Sequence, residues 1–204
     1  MADIVAALEA RGHLAAGETL ARVRVDPLLN VARPHGGELK VRLATPLRAA
    51  ELAEAADSLP VIDLDAWAIS DLELFAGGGL SPLTGFMREV DLMSVRDRLR
   101  LSDGLVWSLP IILPVDGEQA ASLSEGDRVA LRGEGENLAV LTVTETFSYD
   151  RKRLAGAVYE TIDEAHPGVA RILAQPDHAV AGPVEVIKVP TGAFPDRRLT
   201  PIEV

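Results

Sequence analysis

A run of glycines is the first candidate for chemistry in this sequence. Residues 77–81 read Gly-Gly-Gly-Leu-Ser, and small residues at a helix N-terminus let backbone N–H groups contact a phosphate. These glycines instead follow a helical pattern, so they lie at its C-terminal end, where the negative end of the helix dipole disfavours an anion. Pro82 also occurs before a third glycine could complete the dinucleotide-binding fingerprint. The glycines are predicted to end a helix and not to bind a nucleotide.

Other reactive side chains occur without partners at the spacing that their chemistry needs. Ser81 lacks the second glycine of a nucleophile elbow, and no lysine follows a glycine as it does in a P-loop. The four histidines include no pair three or four residues apart, the spacing that places two metal ligands on one helix face. We expect structural roles for His35 and His166, such as a helix cap or a contact with a neighbouring domain, and leave a catalytic or ligand role open as the alternative.

Composition narrows the class of protein. The 204 residues include no cysteine, which excludes disulfides and cysteine-ligated zinc and fits a cytoplasmic compartment. Asp3 and Glu9 lie where a secretory signal would carry positive charge. The longest apolar stretch, residues 105–115, has eleven residues, whereas a membrane-spanning helix needs about 20. We expect no membrane segment.

The charge of the chain argues against a nucleic-acid partner. The formal net charge is −11, and residues 103–145 contain eight acidic and two basic side chains. Affinity for a phosphate backbone comes mainly from lysine and arginine, so this region would repel RNA and DNA. A solvated acidic surface is the favoured interpretation.

Helical and strand patterns alternate along the chain. Thr45 before Pro46 predicts a capped helix over 46–56, Asp65 can cap a second helix that ends at Gly77, and Pro167 opens another. A helix over about 88–99 should turn Val90, Met93 and Leu92 inward. Further helices are predicted over 2–11 and up to Tyr159, with Leu154, Ala157 and Val158 on one side. Strands are predicted over 59–64, 107–113 (buried on both faces), a hairpin of 128–132 with 138–144, and 178–189. The pattern indicates an α+β fold in which helices flank a small twisted β-barrel.

Five short blocks resemble the amino-terminal domain of sulfate adenylyltransferase (ATP sulfurylase). They are Pro-His-Gly-Gly at 34–37, Ser-Pro-Leu-Thr-Gly-Phe-Met at 81–87 within the run from 71, Asp-Gly-Leu-Val-Trp-Ser-Leu-Pro at 103–110, Ala-His-Pro-Gly-Val at 165–169 and Gly-Pro-Val-Glu-Val at 182–186. The resemblance implies a PUA-like fold. It also implies that the whole enzyme joins sulfate to ATP with magnesium, in sulfate assimilation or sulfur metabolism.

The resemblance also shows what this sequence lacks. The family's catalytic element, Gln-x-Arg-Asn-x-x-His-x-x-His, is absent, because neither Gln119 nor Gln175 is followed by such a run. Residues 1–33 are therefore expected to be an unassigned extension, 34–190 the PUA-like domain and 191–204 a hinge towards a catalytic domain. The chain is expected to be inactive alone and to bind no cofactor or metal, since ATP and magnesium belong to the full enzyme.

The expected role of this chain is to support or orient the catalytic domain of ATP sulfurylase, which would be its partner in cis or in trans. The residues predicted to contact that domain are Ser81, Pro82, Thr84, Phe86, His166 and Arg197. The large apolar residues of the corner, Leu83, Phe86 and Met87, either fold into the core or form a docking surface. A homo-oligomer is left open. The alternative function is an autonomous PUA-like module that binds a protein or RNA partner.

Overall fold

A computed structural model describes residues 33–189, 199 and 201. The helix predicted over 2–11, the candidate contact residue Arg197 and most of the predicted hinge lie outside these residues. The proposed domain boundaries at 33 and 191 stay predictions.

The described residues form six helices, whose ends follow the local capping signals of the sequence. They are α1 (Pro46–Ala56), α2 (Ala66–Gly77), α3 (Glu89–Arg98), α4 (Gly117–Ala121), α5 (Arg151–Tyr159) and α6 (Pro167–Ala174). The Thr45 and Asp65 side chains accept hydrogen bonds from the first-turn N–H groups of α1 and α2, as predicted. Gly78 ends α2 in the left-handed conformation with φ of 80°. The glycine run is thus a helix C-cap, which confirms that prediction.

Seven strands of the described region form one curled sheet. They are β1 (Val61–Asp63), β2 (Gly85–Phe86), β3 (Leu113–Val115), β4 (Arg128–Gly133), β5 (Glu136–Thr142), β6 (Glu145–Ser148) and β7 (His178–Val186). The main order is β1-β4-β5-β7-β2, with β3 and β6 paired to β7 beside this path. Strands β4 and β5 form the predicted antiparallel hairpin, and β1 is parallel to β4. Helices around a curled, half-barrel sheet confirm the α+β prediction.

Strand β7 is the centre of the sheet because it pairs on both edges along its length. Its first half lies between β3 and β6, so that Val180 is opposite both Leu113 and Thr146. Its second half pairs with β5 and β2. The change of partners occurs at Gly182, whose φ is 151° and where a Cβ atom would overlap the Thr142 carbonyl oxygen. Only a glycine allows the backbones to approach so closely.

The largest core cluster lies between α2 and the concave sheet. Leu72 and Phe75 of α2 pack with Leu131 and Leu141 of the hairpin, and all four are fully buried. The Phe75 ring meets the Phe86 ring edge-on at 5.5 Å between centroids. This packing fixes α2 and the corner that follows it against the sheet.

Two predictions about burial were wrong. Residues 107–113 do not form a doubly buried strand, since β3 begins only at Leu113 and Leu109 is half exposed. Pro110 interrupts the segment by removing a backbone donor, so the apolar run continues as an irregular loop. In α3 the buried residues are Leu92, Ser94 and Val95. Leu92 is thus turned inward as expected, whereas Met93 is only half-buried and Val90 is 49% exposed.

The inward face of α5 also differs in part from the prediction. Leu154 and Ala155 are buried, while Ala157 is exposed. In both helices the apolar residues are too few to determine from periodicity which face turns inward.

We expect Gly182→Ala to lower the free energy of unfolding by about 3 kcal/mol or more, because the added methyl group meets backbone that cannot move away. Gly126→Ala is the matched control, since Gly126 has φ of 90° with open space around its Cβ position. Its cost should be about 1 kcal/mol. Urea unfolding of the two variants measures the difference, and equal losses would refute the close-approach explanation.

Candidate functional site

The corner after α2 folds back on its own domain. The Ser81 hydroxyl donates to the Gly78 carbonyl oxygen at 2.6 Å and accepts from the Lys40 N–H at 2.8 Å. Phe86 and Met87 are buried in the core, and Leu83 packs partly against it. Of the two alternatives for these apolar residues, folding into the core is the one that the structure shows.

The predicted contact residues do not form a single cluster. Pro82 is half-buried and Thr84 is exposed at the corner, whereas Ser81 and Phe86 are engaged inside the domain. His166 lies elsewhere, as the N-cap of α6, where its Nδ1 accepts from the Gly168 N–H at 3.2 Å. Whether these residues contact another domain stays a prediction.

A groove of about 600 Å³ runs beside the corner, and its lining includes three carboxylates and the basic Arg88. Thr84 lines it together with Asp91, Glu125 and Glu145. The Glu145 carboxylate accepts from the Glu89 N–H at 2.5 Å, so it caps α3, whose own N-cap residue makes no side-chain bond. The Glu145 carboxylate in this groove is therefore explained by its role as a helix cap.

A more distinctive cluster is built on the first turns of α2. The Asp65 carboxylate accepts from the N–H groups of Trp67 and Ala68 at 3.0 and 2.8 Å, which starts the helix. Its other oxygen lies 3.3 Å from a guanidinium nitrogen of Arg171 on α6. That guanidinium lies over the Trp67 ring, 4.1 Å from the ring centroid. A helix cap, an ion pair and a cation–π contact thus join α2 to α6.

Asp71 lies one turn after Trp67 and lines a pocket of about 120 Å³ between α2, α5 and α6. Apolar side chains form part of the pocket walls: Leu109, Pro110, Ile111, Ile112, Leu154, Val158 and Ile172. Tyr159 and Gln175 complete the lining. The Tyr159 ring lies 4.7 Å from the His166 ring, so the predicted contact residue His166 is a neighbour of this pocket.

Burial perturbs the Asp71 carboxylate more than the nearby charge of Arg171 does. Burial raises its pKa from 3.8 to about 6, the Arg171 charge opposes the shift, and the Asp65 charge adds to it. Within residues 33–189 no side chain or backbone donor makes a hydrogen bond to this carboxylate. A partly buried carboxylate that accepts no hydrogen bond, beside an exposed aromatic ring, is typical of a binding site.

Sequence analysis missed this pocket because its walls come from distant parts of the chain. Trp67, Asp71 and Leu74 have spacings of four and three residues, which places them on one face of α2. From the sequence, only the helix, its Asp65 cap and its end at Gly77 were predicted here. The sequence gives no sign that Arg171, about 100 residues later, would cover Trp67.

The described part of the chain contains no group of three or more His, Cys, Asp or Glu side chains arranged to hold a metal ion. Among the same residues, no helix combines the length and the apolar character that crossing a membrane requires.

Comparison with known proteins identifies the fold. Residues 32–189 match the family model described as a PUA-like domain, which confirms the fold prediction. The chain is also similar to a solved structure, the hexameric APS kinase from Thiobacillus denitrificans, with a TM-score of 0.65 and 30% identity. That match covers 85% of this chain and 30% of the other.

Several curated relatives are named sulfate adenylyltransferase. The relative from Synechococcus sp. (strain JA-3-3Ab) is 46% identical over 172 residues, which are 83% of this chain and 44% of the relative. Those from Hyperthermus butylicus and Deinococcus radiodurans are 42% and 46% identical, with 85% and 84% of this chain covered. The chain spans less than half the length of these relatives.

Replacing Asp71 with asparagine should stabilise the fold at neutral pH. The raised pKa means that the wild type loses stability as pH rises from about 4 to 6, because the unfolded chain releases this proton more readily than the folded chain. Asp71→Asn should match the wild type below pH 4 and exceed it by about 2–3 kcal/mol at pH 7.

Asp63→Asn is the control for this pH series, and urea unfolding at each pH is the measurement. A hydrogen bond from Arg132 lowers the Asp63 pKa, so this variant should be less stable than the wild type at pH 7, with the deficit shrinking in acid. If Asp71→Asn instead destabilises the protein at pH 7, the carboxylate has a favourable partner and the description of the pocket is wrong.

Proposed function

Since the chain belongs to the PUA-like domain family, we propose that it is the amino-terminal domain of a sulfate adenylyltransferase, which supports and orients the catalytic part of that enzyme. The whole enzyme would form adenylylsulfate and pyrophosphate from ATP and sulfate. In this proposal the chain contributes packing surface and not reacting groups.

The observation that carries the proposal is the way the similarity is distributed. Identity of 42–46% extends over 83–85% of this chain, yet the matched part is only 43–44% of each relative. A domain retained at such identity inside a longer enzyme has a role in that enzyme. The part of the relatives that lies outside the match is where we place the catalytic element.

The charged side chains of the described residues support a non-catalytic role for this chain. Adenylyl transfer requires cationic groups that converge on the phosphates of ATP. Here the arginines with resolved ion pairs face carboxylates of their own domain, as in Arg48 with Glu185 and Arg132 with Asp63. His35 lies 2.7 Å from the Val106 carbonyl oxygen, and His166 caps α6. ATP and magnesium would therefore bind to the catalytic part.

Assembly and location follow from the same proposal. The similar solved structure is described as hexameric, which supports a homo-oligomeric enzyme with this domain as one of its building blocks. An enzyme that consumes ATP for sulfate assimilation would act in the cytoplasm, in agreement with a chain that contains no cysteine.

The test is sulfate-dependent release of pyrophosphate. We expect none from this chain alone, and we expect the part of the Synechococcus relative outside the match to gain activity when the chain is added or fused to it. The intact relative is the positive control. Turnover by this chain alone, at a rate similar to that of the intact relative, would contradict the proposal, as would a catalytic part that is equally active without it.

A further inference from the structure

The pocket between α2 and α6 combines features that the support role alone does not explain. Its carboxylate, on Asp71, is partly buried and accepts no hydrogen bond from the described residues. Its walls are apolar in part, and its rim exposes large side chains. Trp67 is 61% exposed and Leu109 is 50% exposed. A domain selected for stability alone would have an apolar residue in place of Asp71.

We propose that this pocket receives a lysine side chain from the catalytic part of the enzyme. This inference rests on the proposed function, because it takes the partner from that proposal. The lysine stem would lie along the apolar walls, and its ammonium group would pair with the Asp71 carboxylate.

The charge of the pocket selects a cation. Two carboxylates, Asp65 and Asp71, face the single guanidinium of Arg171, and Arg171 is already bound to Asp65 and to the Trp67 ring. Gln175 and Tyr159, which also line the pocket, add no positive charge. An incoming ammonium group would neutralise the remaining carboxylate, whereas an anion would be repelled.

The size and shape of the pocket favour lysine among cations. A volume of about 120 Å³ holds an alkyl chain with a compact head group. Lysine carries a point charge on a flexible four-carbon stem that packs well against apolar walls. An arginine would bring a planar guanidinium, which is larger than an ammonium group and fits less well beside that of Arg171 in a pocket of this size.

The rim indicates a polypeptide and not a free amine. A small molecule that fills the pocket would cover only those parts of the Trp67 and Leu109 side chains that line it, and their outer parts would stay in water. A protein surface that inserts a lysine would cover them as well, in the pattern of a central polar contact with apolar side chains around it.

The first arm of the test examines the pocket chemistry in this chain alone. Nα-acetyl-lysine methylamide is titrated against the ¹⁵N-labelled chain while the indole N–H signals of Trp67 and Trp107 are recorded. We expect a saturable shift of the Trp67 signal with a dissociation constant of about 1 mM, and none with the norleucine analogue, which has the same stem without charge. Equal effects of the two compounds, or no shift with lysine, would overturn the assigned chemistry.

The second arm measures binding of the chain to the separately produced catalytic part of the Synechococcus relative by calorimetry. Asp71→Asn should weaken binding about tenfold or more, because it leaves the buried ammonium unpaired. Glu54→Gln removes the same charge from an exposed position on α1 and should bind like the wild type. Since Asp71→Asn is expected to stabilise the fold, unfolding would not explain the loss.

The outcomes of the second arm separate the two proposals. If the wild type binds and Asp71→Asn binds equally well, the lysine pocket is refuted and the proposed function stands. If the wild type does not bind the catalytic part, both are refuted.

Discussion

The whole fold depends on one strand that pairs on both edges. Strand β7 holds β3 and β6 at its first half and β5 and β2 at its second. The exchange is possible because Gly182 has no side chain where the Thr142 carbonyl oxygen approaches. Curling the sheet at that point creates the concave face on which α2 packs, and α2 then fixes both the corner and the pocket. The Asp71 pocket thus depends on the backbone pairing of β7 at Gly182, although Gly182 does not line it.

Helix α2 packs into the core with one face and lines the Asp71 pocket, the proposed recognition site, with another. Leu72 and Phe75 anchor α2 in the core, while Trp67 and Asp71 are turned towards α6. Arg171 joins the two helices through Asp65 and the Trp67 ring but leaves Asp71 unpaired. A desolvated carboxylate that lowers stability at neutral pH is the kind of cost that binding sites carry.

Much of the fold could be predicted from local sequence signals. The features that depend on long-range contacts could not. Thr45, Asp65 and Pro167 indicated helix starts correctly, because a cap depends on residues within one turn. The apolar segment before Leu113 was taken for a strand, although Pro110 prevents regular pairing there. The Asp71 pocket could not be predicted, because its walls come from three helices and a loop that only the tertiary fold brings together. His166 was selected from the family resemblance, and it lies beside this pocket through Tyr159.

The central claim is that this domain docks on the catalytic part of a sulfate adenylyltransferase through the α2 and α6 surface. Hydrogen–deuterium exchange of the chain, with and without the separately produced catalytic part of the Synechococcus relative, tests it most directly. The account predicts slower exchange in peptides that cover Ala66–Gly77 and Pro167–Ala174, with little change in Pro46–Ala56. Exchange that stays the same in all peptides, or protection confined to Pro46–Ala56, would contradict it.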